Sequence, residues 1–268
     1  MQSSTLLGRI FFATAVVASG IQQLIRADFV RLVPNLPAWM PWPGAWAVAV
    51  GALLVVIGAA WLTGFHVRRA ALALGALLLA TFVVQRVPEI LARPGTGFVW
   101  TNPSKVLALL GGALVLGATA RPAATTRDWL QPLVPAGPAL FGVFLVICGV
   151  QHFVYADFVD TLVPGWLPGT RGWTLFTGVC LQAGGLGVLL PPTRRWAGWA
   201  SGVMIFLWVL LLHLPRAIAL SRDPGETSAV FEALGMSGIA LLIAGLPRNA
   251  GCQDRLAPAA AGTSAPAT

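Results

Sequence analysis

Gln22, Asp28, Arg86, Lys105, Gln151, His152, Asp157, His213 and Glu232 are the residues through which this chain could do chemistry, because each is polar or ionisable in an otherwise apolar sequence. Gln22 and Gln151 suit either a ligand head group or a hydrogen bond between neighbouring helices. Asp28 and Asp157 come just past a helix end, where a carboxylate accepts amide protons in a turn or closes a pocket mouth. Lys105 follows Asn102-Pro103, which reads as an N-cap and first helical residue. That start places a cation against the positive end of a helix dipole, so it needs a partner: Asp28, Glu89, Glu232 or an anionic ligand. His152 and His213 suit hydrogen bonding and proton handling. Two imidazoles at similar depth could also hold a haem or, with Glu232 or Asp157, a metal ion. No helix carries an HxxxH or ExxH pair, so a haem is disfavoured and no metal site is assigned.

The elements that position these residues lie in lipid. Of 268 residues, 57% are hydrophobic and 10% charged, with mean hydropathy +0.79, where a soluble domain carries about 25% charged residues. The chain therefore reads as a polytopic membrane protein whose first partner is the lipid bilayer. Net charge is +8, but the arginines sit in short loops between apolar spans, a topogenic pattern that argues against nucleic acid as a partner. Cys148, Cys180 and Cys252 form no CxxC pair, which removes the commonest dithiol motif. The first apolar span reads as a retained helix rather than a signal peptide.

A spanning helix needs about 20 mostly apolar residues. Eight stretches qualify: 8–25, 45–64, 70–91, 104–120, 137–155, 172–190, 196–219 and 229–246. The first four repeat as the last four. GIQQLIRADFVRLVP at 20–34 returns as GVQHFVYADFVDTLVP at 149–164. Trp46, Gly51 and Gly58 match Trp173, Gly178 and Gly185; Arg68-Arg69 matches Arg194-Arg195, Pro88 matches Pro215, and Gly111 matches Gly238. The expected fold is all-α integral membrane, with eight transmembrane helices as two parallel four-helix-bundle repeats. Residues 1–121 form the first repeat, 122–136 a linker, 137–247 the second repeat, and 248–268 a disordered cytoplasmic tail.

With both termini on the cytoplasmic side of the plasma (inner) membrane, the Arg-Arg pairs fall in short inner turns without acidic neighbours. Counted from Arg9, Gln22 then lies about 20 Å up the first helix, and Gln151 and His152 share that depth in the fifth. Arg86 and His213 come about 24 to 26 Å along the third and seventh. Lys105 and Glu232 are expected in the first turns of the fourth and eighth. The polar residues thus form one layer on the outer side of each four-helix unit. Gly111-Gly112 and Gly184-Gly185 read as close helix packing. Trp39, Trp42, Trp46, Trp100, Trp129, Trp166 and Trp173 read as an interfacial belt. The Pro-rich loops at 34–44 and 164–172 are expected to roof the layer.

Three motifs carry a family resemblance: Gly149-Val150-Gln151-His152, Val163-Pro164-Gly165-Trp166-Leu167-Pro168, and Asn102 to Gly112 (NPSKVLALLGG). With four-helix units, they resemble the DoxX-like membrane proteins over residues 8–247. The tandem arrangement departs from the usual single unit, with the lysine motif in the first copy and the histidine in the second. The resemblance implies a membrane subunit or partner of a quinone-linked redox system. A hydrophobic small molecule such as a quinone would enter laterally to reach Gln151, His152 or Lys105. The alternative is a non-enzymatic protein that binds a lipid or other hydrophobic ligand, or acts as an assembly factor.

Overall fold

The structure is a computed structural model and describes residues 2–30, 32, 39–95, 97–120 and 131–247. The expected tail, most of the expected linker, residues 34–38 of the 34–44 loop and Trp129 lie outside the described residues. Among the described residues every regular element is helical. Eight helices are long and apolar enough to cross a membrane: α1 Ser3–Arg26, α2 Pro43–Thr63, α3 Val67–Ala92, α4 Val99–Thr119, α5 Gln131–Val154, α6 Thr170–Leu189, α7 Arg194–Ala219 and α8 Pro224–Ala244.

Several ends differ from the sequence reading, each for a local reason. Pro103 lies inside α4 rather than at its start, and the helix already begins near Gly97, whose carbonyl accepts from Trp100 N at 3.1 Å. The Ser104 hydroxyl, one residue past the proline, donates to Thr101 O at 2.9 Å. α8 starts at Pro224, where the polar run PGETS had read as loop. Asp223 caps it by accepting from Gly225 N at 2.7 Å, with proline next in the first turn. Lys105 and Glu232 consequently sit beyond the first helical turn, where the dipole no longer bears on their charge.

α3 and α7 each contain one widened turn, at Phe82–Arg86 and Val209–His213. Val87 N donates to Phe82 O and Leu214 N to Val209 O, five residues back rather than four. Pro88 and Pro215 follow immediately. Each proline lacks an N–H, and its ring crowds the carbonyl four residues earlier, so the preceding turn opens.

The helices alternate in direction and share one core. α1 packs on α2 and α8, α5 on α6 and α4, α3 on α4, and α7 on α8, while α4 and α8 run side by side in the most enclosed positions. The first helix of each half therefore lies against the last helix of the other. Small residues allow this. A Cβ on Gly238 would lie 2.6 Å from Phe12 N and 2.8 Å from Gly8 O, and one on Gly111 would lie 2.8 Å from Gly137 O. Within halves, Gly20 faces Gly51 and Gly149 faces Gly178 in the same manner. Trp61, fully buried, packs on Phe12 with ring centroids 4.9 Å apart at a 40° tilt and donates Nε1–H to Val67 O at 3.2 Å, tying the α2–α3 turn to the core. Ile25, Val56, Val83, Val154, Phe176 and Leu186 stay exposed, as lipid-facing side chains should. Trp39, Trp42, Trp46, Trp100, Trp166 and Trp173 are exposed as well.

Gly238→Leu should destabilise the fold by at least about 1 to 3 kcal/mol, since the atoms it meets are backbone and cannot rotate away. Gly172→Ala, with nothing within 4 Å of the added Cβ, should be neutral or slightly stabilising. Thermal unfolding of both variants in one detergent checks the contrast.

Candidate ligand site in the polar layer

The layer is built from pairs that cross between halves. Lys105 Nζ on α4 lies 3.1 Å from Glu232 Oε1 on α8, joining the two central helices. One turn before each, Thr101 and Ser228 reach the first helix of the opposite half. Thr101 Oγ1 donates to Gln151 Oε1 at 2.8 Å, and Ser228 Oγ donates to Gln22 Oε1 at 3.0 Å. Gln151 also donates Nε2–H to Gly97 O at 2.8 Å, so both ends of its amide are satisfied. Among the partners open to Lys105, the structure selects Glu232.

His152 sits one residue further along α5 and is half-buried. Its Nδ1 lies 2.8 Å from Cys148 O, and its ring stacks on Trp208 of α7 at 6.4 Å and 22°. Trp208 and His213 are five residues apart, the spacing that the widened turn of α7 returns to one face. His213 is half-buried. Arg216 closes the far side, with Nε 3.2 Å from Glu226 Oε2 and NH2 2.7 Å from Oε1. Among the described residues no three His, Cys, Asp or Glu side chains come together as a metal-binding group.

The other expected residues are engaged locally. Asp28 accepts from Phe29 N at 2.8 Å in an exposed turn. Asp157 pairs with Arg171, which also reaches Asp160 at 3.2 Å; Asp160 in turn accepts from Thr174 Oγ1 at 2.6 Å. Arg86 pairs with Glu89 one turn on, and its Nε is enclosed without a hydrogen bond.

The halves differ in how the layer is covered. In the first, the chain turns at Ala27, with φ 50°, and tucks Val30 and Leu32 into the interior. Gln23, at the place His152 holds in the second half, is 0% exposed, and both its amide atoms lack hydrogen bonds. In the second, the chain forms a short helix, Ala156–Asp160, that leaves Phe158 exposed and Val159 and Leu162 only half-buried. His152 Nε2 makes no hydrogen bond among the described residues, yet it is not enclosed. Sequence reading passes over Gln23, Thr101, Ser228 and Trp208. Thr101 and Ser228 could have been found as the residues four before Lys105 and Glu232, and Trp208 through Pro215.

Fold and layer together define a multi-pass, all-helical membrane protein whose central helices are joined by the Lys105–Glu232 pair. Residues 4–86 match the DoxX family model, so the chain is DoxX-like over α1 to the widened turn of α3. Residues 141–244 match a second family, described as Domain of unknown function (DUF8561). No curated protein and no solved structure matches the chain.

Gln23→Leu should stabilise the protein by about 1 kcal/mol, because it removes an amide buried without partners. Gln151→Leu should instead cost about 1 to 3 kcal/mol by orphaning Thr101 and the Gly97 carbonyl. Opposite signs in thermal melts are expected; equal signs would contradict the assigned contacts.

Proposed function

We propose that the protein is a membrane subunit or partner of a quinone-linked redox system, and that it binds its hydrophobic ligand at the second half's polar layer. His152 carries this reading: it is held by the Cys148 carbonyl and Trp208, it keeps one ring nitrogen accessible, and its counterpart Gln23 is sealed. The ligand's apolar body would lie among the lipid-facing side chains and its head at His152, beside His213 and the Lys105–Glu232 pair. Asp28, Asp157 and Arg86 have a lesser part in this reading, since each is matched within its own loop or turn. The proposal treats 1–121 and 137–247 as two copies of one unit. The matched contacts Thr101–Gln151 and Ser228–Gln22, and Gly111–Gly137 and Gly238–Gly8, support it.

The alternative is a non-enzymatic lipid-binding or assembly protein. What favours it is that Lys105, Glu232, Gln22 and Gln151 are spent on one another, as in a layer that only locks helices together. Native mass spectrometry of protein purified in mild detergent separates the two. A quinone-sized molecule retained by wild type and by Gln23→Ala, but lost from His152→Ala at unchanged melting temperature, is expected. A phospholipid alone, or retention indifferent to His152, sinks the first reading.

In the same proposal both termini face the cytoplasm and the ligand layer lies in the outer leaflet half of the plasma (inner) membrane. Cys148 and Cys180 are half-buried within spans. A membrane-impermeant maleimide applied to sealed cells should therefore leave Cys252 unlabelled until the cells are lysed; labelling beforehand reverses the orientation.

A further inference from the structure

Resting on that reading of the second-half layer, the hydrogen bonding of His152 narrows what the site takes. The Cys148 carbonyl oxygen, 2.8 Å from His152 Nδ1, has only lone pairs to offer. Nδ1 must therefore carry the ring proton and donate it. No carboxylate pairs with His152 among the described residues, and the one buried carboxylate among them, that of Glu232, is already taken by Lys105. The ring is thus a neutral imidazole, and its accessible Nε2 holds a lone pair with no hydrogen. Stacking on Trp208 and the bond to α5's own backbone both oppose rotation of the ring, so the two nitrogens do not exchange places readily.

We infer that this site selects head groups that bring a hydrogen, such as the hydroxyl of a hydroquinone or other phenol, over head groups that present only a carbonyl. A hydroxyl donates to Nε2. A quinone carbonyl at the same place sets lone pair against lone pair and leaves both without a partner. A site arranged to bond a hydroxyl discriminates against an analogue lacking it because the site's own polar atom is then stranded. For a half-buried acceptor, on the order of tenfold in affinity is expected.

The test uses the full-length protein in detergent and three probes of one shape: a decyl-substituted benzoquinone, the same molecule reduced to its hydroquinone, and the dimethyl ether of that hydroquinone. Binding is read anaerobically by quenching of tryptophan fluorescence. The hydroquinone should bind about tenfold more tightly than the quinone, with the ether grouped with the quinone. In His152→Gln, whose amide both donates and accepts, the preference should fall to about one while binding persists. Equal affinity for all three probes in wild type, together with weakening of all three in His152→Phe, keeps the site and overturns the hydroxyl preference. Absence of binding by any probe, or binding that ignores both His152 variants, overturns the site and the preference with it. The wild-type ratio needs no variant, so a poorly folded substitution does not shield the inference.

Discussion

Close backbone approach at small residues is the constraint on which the rest of this structure depends. Lipid tails solvate leucine as well as another helix does, so apolar burial alone does not bring spans together. What does so here is contact where Gly8 meets Gly238 and Gly111 meets Gly137, close enough that even a methyl group would strike main chain. These contacts fasten α1 to α8 and α5 to α4, and they set the separation at which the short hydroxyls of Ser228 and Thr101 reach Gln22 and Gln151. Spread the helices by a side chain and those bonds go too. The polar layer is thus a product of the glycine packing below it.

The central ion pair follows from the same geometry. Positions 105 and 232 occur at matching places in α4 and α8, and those helices run parallel and adjacent, so the two side chains meet each other. Identical charges at such a meeting point would repel in a medium with little water to screen them. Lysine on one side and glutamate on the other resolve this and leave neither charge alone. The two halves differ elsewhere in the layer as well: Gln23 is an enclosed amide, whereas His152 is an accessible imidazole.

The spans and their number were legible in the sequence because length and hydropathy are local signals. Which helix lies on which was not. Nothing in the run around Gly8 says that its partner is Gly238, since the repeat alone reads equally well as two bundles side by side. The start of α4 was misplaced because Asn102-Pro103 is a strong helix-start pair in isolation, whereas the proline lies inside the helix, past its first turn. The start of α8 was missed because PGETS reads as loop until Asp223 is seen to cap it. Pro88 and Pro215 signalled an irregularity, but only the structure shows that it takes the form of a widened turn carrying Trp208 onto the face of His213. Gln23 escaped notice because its special state, an amide sealed without partners, depends on how neighbouring helices enclose it rather than on its own sequence context.

The pairing of α1 with α8 also bears on how the chain is made. Helices enter the bilayer in the order in which the ribosome delivers them, and α1 is threaded in first while the helix that must cover its glycine face is threaded in last. Until then that face is turned to lipid or to whatever chaperoning surface the membrane provides. The contact that completes the protein thus spans nearly its whole length, the slowest kind to close. A ribosome that stops anywhere before α8 releases a product whose first helix has only one of its two mates and whose Lys105 lacks Glu232. Interlocking of this kind gives a cell a simple mark by which unfinished chains differ from finished ones.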